Sequence, residues 1–181
     1  MIKKRIVDMG AGANPRIDAT DATDKLNKDE ITRDRNNFIK NYGYARKYCK
    51  ERGYCKKTII TNPKLNNKIK FVYNIDYNKD KLPYDDNSVD IVSSYHSLQA
   101  FGKLHAIQEI YRILKPGGYV DIGWFSDKSL DKFTEKLNKR FVIALPKHGF
   151  KNIKIFKNMK DNTLYKYQFD KKYLNVVRAY K

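Results

Sequence analysis

Two glycines, Gly10 and Gly12, stand one residue apart just after an apolar run that carries a carboxylate, Ile6-Val7-Asp8-Met9. Glycines there let a backbone turn tightly and approach a ligand closely, although a plain turn uses the same residues. Asn14 and Pro15 stand where a dinucleotide fingerprint has its last variable residue and its third glycine. A helix start cradling a pyrophosphate is therefore poorly supported, and a nucleotide with no phosphate to hold fits better. Downstream, Asp18, Asp21, Asp24 and Asp76 offer carboxylates that either accept hydrogen bonds from ligand hydroxyls and amines or cap turns. Tyr95 and His96 end an apolar run. A histidine there is either a general base, with a pKa near about 6.5, or a hydrogen-bonded structural group. Cys49 and Cys55 match no common zinc spacing and read as packing thiols, so no metal is expected.

These groups meet only if strands and helices alternate, as in an α/β layer architecture with a mostly parallel sheet. Residues 4–8 read as a first buried strand entering the glycine turn. Residues 19–24 form a short second strand only if the first crossover is much reduced, because a parallel crossover normally takes a dozen or more residues. Phe38, Tyr42, Ala45 and Cys49 predict a helix over about 34–52, weakened by Gly43 and ended by Gly53. Residues 69–75 and 89–94 read as strands, with a loop at Pro83 and 85–88 between them. Leu104, Ile107, Ile110, Tyr111 and Leu114 form one stripe of a helix over about 103–114. Lys115-Pro116-Gly117-Gly118 stops it, and a strand over 119–125 follows. A helix over 130–145 then precedes a strand at 153–156. Residues 164–169 and 173–180 alternate like half-buried strands at an antiparallel sheet edge.

Four segments, taken in order and spacing, resemble the class I S-adenosylmethionine-dependent methyltransferases. Val7-Asp-Met-Gly-Ala-Gly-Ala-Asn14 is similar to their first motif, and Leu82-Pro-Tyr-Asp-Asp-Asn-Ser-Val-Asp90 to the loop and entry of the fourth strand. Ser93-Ser-Tyr-His-Ser-Leu98 is similar to that strand's end, and Glu109-Ile-Tyr-Arg-Ile-Leu-Lys-Pro-Gly-Gly118 to the helix and turn before the fifth. The resemblance implies a Rossmann-like methyltransferase fold: one domain over 1–181, a mostly parallel central sheet, an antiparallel C-terminal strand and a shortened first crossover. It implies S-adenosyl-L-methionine as cofactor. Asp8 with Met9, Gly10, Ala11, Gly12 and Asn14 would line its methionine end. Asp24, with Asp21 as the alternative, would take the ribose hydroxyls. Asp76 would meet the adenine amino group, Tyr77 would stack on the ring, and Ser94 would line the site from the fourth strand. His96, with Tyr95 in reserve, would manage a proton where donor and acceptor meet. Ser-Tyr-His at that strand end is not the Asp/Asn-Pro-Pro-Tyr of DNA amino-methyltransferases. Gln99 and Ala100 stand where a Glu-His pair is common in small-molecule enzymes.

Of 181 residues, 41% are apolar and 13% aromatic, enough for a continuous core, which excludes general disorder and a disulfide-stapled miniprotein. No run of about 20 apolar residues occurs, so a soluble, cytoplasmic protein without membrane contact is expected. The net charge is +18, and residues 25–81 carry 16 Lys or Arg against 6 Asp or Glu. A basic insert at about 25–68 interleaves Tyr42, Tyr44, Tyr48 and Tyr54 with cations. It suits stacking on bases and meeting phosphates, so RNA or another nucleic acid is one expected partner. A solvated basic helix in a chain shaped by an adenine- and thymine-rich genome is the competing reading. A small-molecule or protein acceptor, and a catalytically silent module that binds nucleic acid or activates a partner protein, also stay open.

Overall fold

The computed structural model describes residues 4–11, 18–33, 69–95, 104–125, 140–156 and 174–181. Its strands are β1 (Ile6–Met9), β2 (Asp21–Thr23), β3 (Lys70–Val72), β4 (Val89–Tyr95), β5 (Leu114–Phe125), β6 (Lys151–Phe156) and β7 (Leu174–Tyr180). They form one sheet in the order β3-β2-β1-β4-β5-β7-β6. β1 to β5 pair in parallel, and β7 runs antiparallel to both β5 and β6. Described helical residues are 28–33 (α1), His105–Ile113 (α2) and 140–147 (α3). Among the described residues no helix is long and apolar enough to cross a membrane.

β1 is buried along its whole length, as a central parallel strand covered on both faces must be. Register puts Val7 and Met9 on one face with Val92 of β4, and that face packs on Ile107, Ile110 and Ile113 of α2. These isoleucines repeat at helical spacing and are 1% exposed or less. Each contributes roughly 1.5–3 kcal/mol through burial. α1 opens with a reciprocal cap in which the Glu30 N–H donates to Asn27 Oδ1 and the Asn27 N–H to Glu30 Oε2.

Several sequence expectations shift. β2 exists and is parallel to β1 although only residues 10–20 connect them. Thr20 fixes this short return: its N–H donates to the Ile6 carbonyl at 2.9 Å, and its Oγ1 accepts the Ile6 N–H at 3.0 Å. β3 is shorter than the expected 69–75, because the chain turns at Asn74, which has φ 61°. β5 is longer than expected: Leu114 already pairs with Val89 before the irregularity in the ladder. Both glycines of the turn are required. Gly117 has φ 79°, and a Cβ on Gly118 would lie 2.9 Å from the Asp90 carbonyl oxygen.

β7 is not an edge strand. It lies between β5 and β6, and the consecutive residues Val176 and Val177 are buried on opposite faces. β6 takes the edge, with Lys151, Asn152 and Lys154 exposed. Arg178 of β7 meets Asp121 of β5 through two hydrogen bonds of 2.7 and 2.8 Å and lies over the Tyr119 ring. The expected helix over 34–52, residues 130–139, the strand at 164–169, both cysteines and most of the basic insert fall outside the described residues.

Candidate functional site

The strand order reverses between β1 and β4: the chain builds outward from β1 to β3, then crosses back to β4 on the other side. Parallel sheets leave a crevice outside the carboxyl ends of the strands at such a point. Here those ends are tied together. Gly10, in the left-handed region at φ 65°, donates its N–H to the Thr23 carbonyl at 2.8 Å and to Tyr77 Oη at 2.9 Å. The Ala11 N–H shares the Thr23 carbonyl at 3.2 Å. The Asp24 N–H donates to the Val72 carbonyl at 3.1 Å, and the Ile75 N–H to the Asp24 carbonyl at 3.0 Å. The segments leaving β1, β2 and β3 thus form one hydrogen-bonded unit carrying Asp8, Asp24 and Asp76.

Within that unit the expected residues take distinct places. Asp8 is buried, and its Oδ1 accepts the Ser93 hydroxyl at 2.8 Å, joining β1 to β4. The Met9 side chain is fully buried in the core, so only its backbone faces the turn. Asp24, 6% exposed, accepts the Leu26 N–H on Oδ1. Asp76 accepts the Asn78 N–H at 3.0 Å and lies 3.5 Å from Lys79 Nζ. That N–H, helped by Lys79, holds its carboxyl below the ordinary value.

Three expectations need correction. Asp21 starts β2 at the opposite end from the crevice, where Arg5 holds it at 3.3 Å, and Asp24 is the carboxylate at the crevice end of that strand. Tyr77 does not present its ring for stacking: it is 3% exposed, packed in the core, with Oη 2.8 Å from Thr23 Oγ1. Burial raises the phenol's pKa above its ordinary range. Ser94 is fully buried and donates to the Met9 carbonyl at 3.1 Å, locking β4 to β1 instead of lining a cleft. Gly12, Asn14 and His96 lie outside the described residues, as does the Tyr95 side chain; the Tyr95 backbone ends β4 opposite Gly123. A shallow hollow of about 350 Å³ lined by Lys81, Tyr84, Asp85 and Arg112 sits beside the loop entering β4, at the sheet's other end, and takes no part in this site.

A family model described as a methyltransferase domain matches residues 44–122. Over 98 residues the chain is 34% identical to the ubiquinone/menaquinone biosynthesis C-methyltransferase UbiE of Stenotrophomonas maltophilia, a match covering 52% of this chain and 37% of that protein. The match thus spans little more than a third of that relative's length. An S-adenosylmethionine-dependent methyltransferase of Thermotoga maritima superposes with a TM-score of 0.59 at 16% identity, covering all of this chain and 84% of that one. The Haemonchus contortus phosphoethanolamine N-methyltransferase 2, in complex with S-adenosyl-L-methionine, does so with 0.55 at 15% identity, covering 98% of this chain and 48% of that one. The chain thus has the fold of class I methyltransferases and is similar in sequence to a methyltransferase domain over residues 44–122.

The donor set at these strand ends suits S-adenosyl-L-methionine. Three carboxylates and a glycine turn gather where an ammonium, ribose hydroxyls and an adenine amino group need acceptors. Sequence reading alone passed over Ser93 and Thr23 and assigned Tyr77 the wrong task. The parallel register that aligns Asp8 with Ser93 and Met9 with Thr23 brings them in. The one local signal was a hydroxyl-bearing residue directly before Asp24 and directly before Ser94.

Proposed function

We propose that this chain binds S-adenosyl-L-methionine at the carboxyl ends of β1, β2 and β3 and transfers its methyl group to an acceptor met at the end of β4. The observation that carries this reading is the hydrogen-bonded unit through Gly10, Thr23, Asp24 and Ile75, which brings the carboxylates of three strand ends to one switch point. Asp8 and the turn from Gly10 would hold the methionine end, Asp24 the ribose and Asp76 the adenine. When bound, the cofactor supplies a methyl group already activated by its sulfonium. The chain's part is then to fix the acceptor in line with that methyl and to manage one proton. His96 is the proposed base for an acceptor that must lose a proton, and Tyr95 the reserve.

Two acceptor classes follow from different observations. The curated relative is named as a C-methyltransferase of ubiquinone/menaquinone biosynthesis, which favours a carbon of a small molecule. The excess of ten positive charges over residues 25–81, with Tyr42, Tyr44, Tyr48 and Tyr54 interleaved among the cations, favours RNA. Titration calorimetry with S-adenosylmethionine and its demethylated product tests the cofactor step. Binding is expected in the wild type and lost in Gly10→Arg, whose left-handed φ a bulky side chain cannot adopt without strain. Absence of heat with the wild type defeats the proposal and leaves the silent-module reading. Tritiated-methyl transfer over separate RNA, protein and metabolite pools then assigns the acceptor class.

A further inference from the structure

We propose that Tyr77 is a positioning residue for the methionine end of the cofactor, its phenol fixing the glycine turn after β1 from the loop after β3. This inference rests on the S-adenosylmethionine reading above. The Thr23 carbonyl serves two donors, the Gly10 N–H at 2.8 Å and the Ala11 N–H at 3.2 Å. Tyr77 Oη, 2.9 Å from the same Gly10 nitrogen, gives that amide a second acceptor and is itself held by Thr23 Oγ1 at 2.8 Å. The ring is 3% exposed within the core that also holds Met9, Ile75 and Leu82, so its oxygen is a fixed point. Without the phenol oxygen, Gly10 and Ala11 compete for one carbonyl and the turn loses a restraint on the direction of its amides.

Asp76, next to Tyr77 in the chain, does not depend on that oxygen. Its carboxylate is held by the Asn78 N–H, and its own N–H donates to Asp80 Oδ2 at 2.7 Å. The phenol therefore acts on one end of the ligand and not on the other.

Removing it should weaken ligands that carry the amino-acid tail and spare those that lack it. The test is calorimetry of Tyr77→Phe with S-adenosylhomocysteine, which has the tail, and 5′-methylthioadenosine, which does not. The expected result is about a fivefold to tenfold loss for the first, the worth of one hydrogen bond, and less than twofold for the second. A general loosening of the fold would weaken both alike, and that outcome, or no loss for either, overturns the proposal. Thr23→Val removes the phenol's partner while keeping side-chain shape. It is expected to show the same selectivity at smaller size, so the question stays decidable if Tyr77→Phe folds poorly; equal loss of both ligands in this variant also overturns it. A wild type that binds neither ligand defeats the cofactor reading itself and the positioning role with it.

Discussion

Arg112 offers the sharpest test of how the sheet is held to its helix. Its Nε and Nη2 meet the two Glu109 oxygens at 2.9 and 2.7 Å, while Nη2 also donates to the Leu82 carbonyl and Nη1 to the Tyr84 carbonyl and Asp86. Glu109 in turn accepts the Leu82 N–H at 2.7 Å. One guanidinium thus fastens the loop entering β4 onto α2. Arg112→Met keeps most of the stem's packing but leaves Glu109, at 11% side-chain exposure, with the Leu82 N–H as its remaining partner in this network. Breaking a buried pair from one side costs about 3–5 kcal/mol, and partial exposure at Arg112 lowers this to roughly 2–4 kcal/mol. Glu109→Gln keeps an acceptor and removes the charge, and should cost about 1–2 kcal/mol. Burial pushes the Glu109 carboxyl up, but Arg112 and the Leu82 N–H outweigh it and hold the pKa below the ordinary value. A depressed carboxylate contributes stability above its unfolded pKa and loses it as pH falls through the folded one. In Arg112→Met burial prevails and the carboxyl shifts upward, so the gap to wild type should be full at pH 7 and narrow below about pH 4. Urea unfolding at both pH values measures it. A gap under about 0.5 kcal/mol at pH 7, or one unchanged by acid, refutes this account.

Gly149 and Gly117 form a matched pair, with φ 91° and 79°, but a Cβ on Gly149 would meet the Tyr111 ring at 2.8 Å while Gly117 has open space. Thermal unfolding should show Gly117→Ala costing about 1–2 kcal/mol from left-handed strain alone, and Gly149→Ala about 1–3 kcal/mol more from the clash; equal costs would mean that Tyr111 yields freely. Asp24→Asn should weaken S-adenosylhomocysteine about tenfold or more by calorimetry, since bonds to a charged acceptor are lost. Asp21→Asn should leave that affinity intact and lower stability through Arg5, and the reverse ranking would return the ribose role to Asp21.

What was legible in the chain was local. The stripe through Ile107 and Ile110 announces α2, and Lys-Pro-Gly-Gly announces the turn whose Gly117 takes a positive φ. Asp8 with Gly10 announces a bend after β1, and Asp24 and Asp76 follow the carboxyl ends of β2 and β3. The departures have non-local causes. Nothing within residues 174–180 reveals that β7 inserts between β5 and β6, because alternation specifies faces and not neighbours. Tyr77 looks like an exposed aromatic beside a polar run, and only the meeting of β1 and β2 at Thr23 gives its hydroxyl a buried destination. Arg5 distinguishes two aspartates that look alike in the sequence by pairing with Asp21 at the far end of β2. α1 did carry a local signal, Asn27 with Glu30, which was masked by the polarity of its surroundings.

A last consequence concerns charge. A chain of net charge +18 is proposed to bind a ligand whose sulfonium is itself positive. At physiological salt the screening length is about 8 Å, so lysines scattered over the surface act weakly on the crevice, whereas Asp8 and Asp24, 4% and 6% exposed, act at short range with little screening. Comparing S-adenosylmethionine with S-adenosylhomocysteine isolates the sulfonium charge. If the local carboxylates govern, the ratio of their affinities should stay within about twofold between 50 and 300 mM salt, since screening reaches buried charges poorly. If the global charge governs, salt would relieve repulsion and the ratio would climb in favour of the sulfonium, which would refute the acidic-pocket reasoning. Were RNA bound by the basic segment, its affinity would show the opposite behaviour in the same buffers, dropping by tens-fold or more over that range, because each phosphate neutralised releases counterions. A cofactor ratio that stays flat beside a steep RNA response would assign the two electrostatic regimes to separate surfaces, the strand ends for one and the basic segment for the other.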